Sequence, residues 1–253
     1  MAVQFPKLLY DNRFADGVIT SPGTATGNYA PENVRDWRGY TWWKGNAAGS
    51  WVQVDCGVAK AADYLAVYGH DIFSRSGLVH AMGADDAAFT VNVTIPVNSY
   101  SPASDAPFVR QFSSVARRHW RFYVQGASQA PAVAVVAIGA ALTMPRPLSR
   151  GFDPLGRTVQ GVVNRSEKGH PLGRAVEFEE WTAQLDFSLL SPTWIRNTWL
   201  PAWRTHLRGR PFLFAWDPGD HADEVRLVTA GDSFRSATSG AYCSLSFSVS
   251  GLA

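Results

Sequence analysis

The sequence predicts a mainly β chain organised as two β-sandwich domains, the second carrying one helix. Three observations predict it. Runs near the N-terminus alternate apolar and polar residues with the period of two that a half-buried strand requires. A stretch rich in proline and glycine, 144–157, interrupts the chain after a strand-like run. Beyond it, further alternating runs flank a single segment in which apolar residues recur at helical spacing.

Taken in order, Pro31 to His70 holds the densest signal. An aromatic cluster, Trp37, Tyr40, Trp42 and Trp43, runs through Lys44–Ser50, a loop-forming series of small and polar residues, into Trp51–Gly57. There Val52, Val54 and Cys56 point one way and Trp51, Gln53 and Asp55 the other; in the next run Leu65 and Val67 alternate with Tyr64 and Tyr68. Each strand is expected to be half buried, as in a sandwich, which sets several large rings on or beside a loop. Ala130–Leu142 falls short of the ~18 apolar residues of a membrane span and reads as the last strand of the first domain.

Met144–Gly156 has three prolines and two glycines, a linker composition. We therefore divide the chain into a first domain, 1–143, a linker, 144–157, and a second domain, 158–253; no internal repeat crosses the boundary. The second domain opens with a hairpin, Thr158–Asn164 turning through Glu167–Pro171 and returning near Arg174. Ala183, Leu185, Phe187 and Leu189 then alternate with polar residues, whereas the upstream apolar positions are Val176 and Phe178, and this change of parity near Glu179–Trp181 predicts a bulge or bend. Ser191-Pro192-Thr193 is a helix start, and Ile195, Trp199 and Trp203 follow on one face of a helix at about 192–208, with Gly209 as the stop and Pro201 a point of kinking. Phe212, Phe214 and Trp216, a turn at Asp217–Asp220, and strands at Glu224–Thr229 and Tyr242–Val249 complete the domain.

Ala30–Asp36 ahead of Thr41-Trp42-Trp43, followed by Trp51–Gly57, resembles the discoidin (factor 5/8 type C) branch of the galactose-binding-like jelly rolls, which usually has Leu where this chain has Cys56. The resemblance spans roughly the first 140 residues and implies closing strands at His119–Val124 and Val133–Ile138. It also implies a module that binds sugars, lipids or proteins through loops at one end of the sandwich, without fixing which. The order of elements in 158–253, a hairpin, a long strand, and an aromatic helix running into Arg208–Pro218, resembles the tail-tube-like domains of phage minor and distal tail proteins. That second resemblance covers about 100 residues and implies a ring of three or six copies whose hairpins line the ring and touch neighbours.

Composition narrows the function. With 46% hydrophobic residues the chain can bury one core or two, and a charged content of only 17% hints at surface covered by other subunits. A formal net charge of +2 gives no field strong enough to argue for nucleic acid or anionic membrane. Met1–Lys7 lacks the pattern of a signal peptide, so no leader is expected. Cys56 and Cys243 each share a face with apolar neighbours and read as small core residues in different domains, which favours a reducing site of synthesis.

No nucleophile elbow, paired-His zinc motif, Cys pair or phosphate-binding glycine loop is present, so we expect no enzyme, no cofactor and no metal. The acidic cluster Asp217, Asp220, His221, Asp223 and Glu224 reads as a solvated turn. Trp37, Tyr40, Trp42, Trp43 and Lys44 are the candidate contacts to a glycan or to another protein, since exposed rings stack on sugar faces and serve interfaces equally well. Trp194, Trp199 and Trp203 read as core and interface. Arg146, Arg150, Arg157, Arg165 and Arg174 with Lys168 make the hairpin arm basic, and Arg157, Arg165, Lys168 and Arg174 are the candidate subunit contacts, with a DNA-conducting lumen and a plain solvated arm as the other uses. The expectation is a structural protein of a phage tail tip or baseplate, assembled in the host cytoplasm, whose partners are copies of itself, other tail proteins and a host surface glycan, without specific nucleic acid or membrane insertion. The alternative is a carbohydrate-binding adhesin.

Overall fold

The computed structural model describes residues 5–23, 27–45, 49–149 and 151–252. The chain is mainly β, with two antiparallel sheets and one helical stretch, as predicted. Residues 46–48 of the expected loop and Arg150 of the linker lie outside the described residues.

The first sheet joins β2 (Val18–Thr20), β3 (Trp43–Lys44), β4 (Trp51–His70), β5 (Leu78–Ala84), β6 (Thr94–Tyr100), β7 (Phe108–Gln125) and β8 (Ala132–Gly139), in the order β3-β8-β4-β7-β5-β6 with β2 beside β4. β4 and β7 are long and run through both layers of a sandwich. Trp51–Asp55 pairs with 119–123 in one layer, and Tyr64–Val67 pairs with β7 and β8 in the other, with register shifts between. The core between the layers holds Phe14, Trp43, Val52, Val54, Leu65, Val67, Trp120 and Phe122.

The second sheet has the order β10-β11-β14-β13-β12-β1-β9, built from β1 (Lys7–Leu9), β9 (Leu142–Thr143), β10 (Thr158–Arg165), β11 (Pro171–Leu190), β12 (Pro211–Ala215), β13 (Val225–Ser239) and β14 (Tyr242–Leu252). Two short strands from the first 143 residues thus complete it, Leu8 opposite Phe214 and Leu142. Residues 192–207 form a continuous helical stretch on one face, in which α-helical turns (Pro192–Trp194, Leu200–Ala202) alternate with π-helical ones (Ile195–Trp199, Trp203–Leu207). Pro201 sits inside it without ending it, the widened turns being a known accommodation of a missing N–H. Ile195, Trp199, Trp203 and Leu207 are buried against Leu185, Phe187 and Phe247, so the helix face read from spacing is the core face. Gly209 ends the stretch with a φ of +64°.

At the β1–β12 end the opposite face of the second sheet is covered as well. Leu9, Leu213, Ala215 and Val225 pack against Tyr64, Ala66, Val109 and Ala137 of the sandwich. Two expectations change as a result. β12 and the second half of β4 are buried on both faces rather than one, because each lies where the modules meet; Phe212 and Phe214 face the helix while Leu213 and Ala215 face the sandwich.

The bulge expected near Glu179–Trp181 lies upstream, at Glu177, the extra residue opposite Gln160 and Gly161; from Phe178 to Phe187 the register is unbroken, so Phe178 stands on the exposed face, opposite in direction to the buried Trp181. A second irregularity follows Phe187, where Leu189 has a positive φ. Of the six basic residues, Arg146 and Arg150 precede the hairpin; within 157–180, Arg157, Arg165, Lys168 and Arg174 are matched in number by Glu167, Glu177, Glu179 and Glu180.

Candidate functional site

The loop 36–42 lies at the seam between the two modules, and the predicted aromatic cluster is divided by it. Trp43 and Lys44 form the edge strand β3, with Trp43 opposite Val133. Side chains alternate along a strand, so Trp43 points into the sandwich core and is fully buried, which removes it from any ligand surface. Trp42 points the other way, its ring edge lying 3.7 Å from where a Cβ on Gly69 would stand, and Asn33 Nδ2 donates to its carbonyl at 2.8 Å. Tyr40 is 76% exposed, with the Arg38 guanidinium 6.0 Å from its ring centre. Trp37 is half buried against the inter-module cluster and has a φ of +59°, a left-handed conformation rare for a bulky residue. Lys44 holds its ammonium 5.9 Å from the Tyr29 ring.

Two clefts flank this loop. The first, about 490 Å³, is lined by Gly39, Tyr68, Asp105, Arg157, Asp223 and Arg226 among others. Burial and the neighbouring Arg157 lower the pKa of the Arg226 guanidinium, and burial raises that of the Tyr68 phenol. The second, about 470 Å³, brings together Tyr10, Asp11, Arg35, Asp36, Trp37, His206 and Arg210. Both volumes lie within the range of small-ligand sites, about 300–1,000 Å³.

The segment that builds the second cleft is held by close backbone approach. Tyr64 Oη donates to the Asp11 carbonyl at 2.8 Å, Asn12 Nδ2 donates to the Val136 carbonyl at 2.9 Å, and Ile138 N–H donates to Asn12 Oδ1 at 3.4 Å. Arg13 bridges Asp11 and Asp16, and Arg35 Nη1 donates to the carbonyls of Phe14 and Gly17. Asp36 accepts from Thr41 Oγ1 at 2.6 Å and from Arg38 N–H at 2.9 Å, which fixes the turn that carries Trp37.

Asp55 accepts from Gly57 N–H and from both Arg118 Nε and Nη2 at 2.8 Å. The Arg118 pair holds its carboxyl well below the usual carboxylate range. The turn at 217–224 is braced locally, with Trp216 Nε1 donating to Glu224 at 2.8 Å and the Trp216 and His221 rings stacked at 4.8 Å, and it is tied to the sandwich where Val109 N–H donates to the Ala222 carbonyl at 2.8 Å. Among the described residues no group of three His, Cys, Asp or Glu is arranged to hold a metal ion. No described helix is long and apolar enough to cross a membrane.

Beside the first cleft, His70 is buried, with Nε2 donating to the Ala106 carbonyl at 2.9 Å and Nδ1 accepting from Ile72 N–H at 3.3 Å. That pair of bonds fits the neutral tautomer, and burial keeps the imidazole pKa below its ordinary value despite Asp105 and Asp71 nearby. A depressed folded pKa means the unfolded chain takes the proton first, so stability present above about pH 6.5 is lost as pH falls below it. We expect the melting temperature to fall between pH 7 and pH 5, and His70→Gln to flatten that dependence in thermal melts.

The candidate subunit contacts on the arm are exposed. Arg157 Nη1 lies 4.0 Å from Glu179, Arg165 Nη1 donates to the Gly169 carbonyl at 3.1 Å, Arg174 Nη2 donates to the Val159 carbonyl at 2.8 Å, and Lys168 stands in the turn. Tyr10, His206 and Arg210 were not singled out from the sequence. They converge only because the end of the helical stretch meets the first strand of the chain, which local spacing does not signal.

Neither the protein-family models nor the curated proteins match this sequence. Among solved structures, those of similar fold include carbohydrate-binding modules. Chitosan-binding module 1 from a Paenibacillus sp. IK-5 chitosanase/glucanase has 12% identity and a TM-score of 0.42, covering 50% of this chain and 97% of its own. The CBM32 of AlyQ, in complex with 4,5-unsaturated mannuronic acid, has 23% identity and a TM-score of 0.40, covering 48% and 92%. A Ruminococcus gnavus GH29 fucosidase in complex with fucose also matches over 52% of this chain and 27% of its own, at 12% identity and a TM-score of 0.43.

Proposed function

We propose that this chain is a non-enzymatic recognition and assembly protein. Its sandwich module binds a carbohydrate, and its second sheet holds the chain among copies of itself through the hairpin arm, in the setting of a phage tail tip or baseplate. The observation that carries the assembly reading is the arm formed by β10 and the start of β11. Its successive residues Val162 and Val163, on opposite faces, are both exposed, as are Leu172 (70%), Val176 (59%) and Phe178 (46%). Apolar side chains bared on both faces of a hairpin whose outer strand is a sheet edge are the features of a surface covered in use. Equal numbers of acidic and basic side chains favour contact with like copies over contact with nucleic acid. The double variant Leu172→Ser/Phe178→Ser is expected to keep its fold and lose assembly in analytical ultracentrifugation; an unchanged mass distribution would remove the arm from the interface.

The carbohydrate reading is favoured by the aromatic rings that line the two clefts at the seam, Tyr68 in the first and Tyr10 and Trp37 in the second. Flat apolar faces beside guanidinium and carboxylate groups suit the alternating apolar and hydroxyl surfaces of a sugar. The full chain is expected to give positives on a glycan array, and a blank array at high protein concentration would count against the reading.

A further inference from the structure

We infer that the sugar-binding site proper is the second cleft, at the seam of the two modules, and that it takes a neutral, hydroxyl-rich pyranose unit of an oligosaccharide. This rests on the carbohydrate reading above and places the site away from the free loop tips of the sandwich.

Three observations carry it. Trp37 lines the cleft in a left-handed backbone conformation, held there by the two hydrogen bonds to Asp36; a bulky residue kept in such a conformation is a cost that the surrounding structure enforces. Tyr10 and His206 also line the cleft, their rings stacked at 4.9 Å, so it has aromatic surface from the sandwich loop, from the first strand region and from the end of the helical stretch. Its polar lining mixes acceptors and donors, Asp11 and Asp36 with Arg35 and Arg210. Sugar hydroxyls donate and accept at once and are matched by that mixture, whereas a purely anionic or cationic ligand would meet like charge on one wall. Because its walls come from residues 10–16, 35–37 and 206–211, the cleft exists only while the modules are packed together.

The test is calorimetric titration of the full chain with tetrasaccharides of glucose, galactose, mannose and N-acetylglucosamine. It compares the native chain with Trp37→Ala, Arg210→Ala, and the outer-patch pair Tyr40→Ala/Trp42→Ala. We expect one of these sugars to bind, Trp37→Ala to weaken it at least about tenfold, Arg210→Ala to weaken it several-fold, and the outer-patch pair to leave it unchanged. Arg210 is exposed, so that variant reads the site even if Trp37→Ala fails to fold. A sugar that binds the native chain and both cleft variants alike would overturn the assignment while leaving the carbohydrate reading standing. A native chain that binds none of the four would overturn both.

Discussion

Replacing Trp199 by alanine is expected to destabilise the chain by about 3–5 kcal/mol, lowering its melting temperature by on the order of 10 °C. The ring is fully buried and packs against Phe247 at 4.8 Å, Trp203 at 5.5 Å and Phe234 at 5.9 Å. Removing it leaves a cavity bounded by the helical stretch on one side and by β13 and β14 on the other, and neither can close without shifting the other. Trp199→Phe should recover most of the loss, since Nε1 makes no hydrogen bond among the described residues. Thermal melts of the two variants side by side check the prediction. Equal losses would mean that the indole edge, not the buried volume, matters there.

Gly139→Ala is expected to be at least as damaging, on the order of 3 kcal/mol or more, for a different reason. A Cβ at Gly139 would stand 1.6 Å from the Asp11 carbonyl oxygen, which is also the acceptor for Tyr64 Oη. The 10–13 segment would have to lift off β8, breaking that bond and the two made by the Asn12 side chain, and it would take one wall of the second cleft with it. Gly173→Ala in the arm is the control, since nothing lies within 4 Å of its Cβ position. Denaturant melts should separate the two by several kcal/mol, and sugar binding should fall in Gly139→Ala alone.

Much of this was legible because it is local. The alternation in Trp51–Cys56, the spacing of Ile195, Trp199 and Trp203, and the glycine at 209 each report the structure of their own segment. What escaped was set by partners distant in sequence. Residues 57–63, with a glycine and three alanines, show no strand signal of their own and are carried into β4 by pairing with β7. Tyr64 and Ala66 looked like the solvent side of a half-buried strand because nothing local announces that β1 and β12 cover them. The aromatic cluster was found, but a tryptophan pair in sequence is divided by a strand of two residues, and only pairing with β8 decides that Trp43 goes inside and Trp42 out. The clefts were invisible for the same reason, since each is assembled from segments of both modules.

Whether the chain assembles is read from the mass of the native full chain in solution across a range of concentrations, with electron microscopy of whatever forms. Closed particles of three or six copies, lost in Leu172→Ser/Phe178→Ser, are the predicted result. A chain that stays monomeric at every concentration, with an arm whose variants behave as the native protein does, would contradict it.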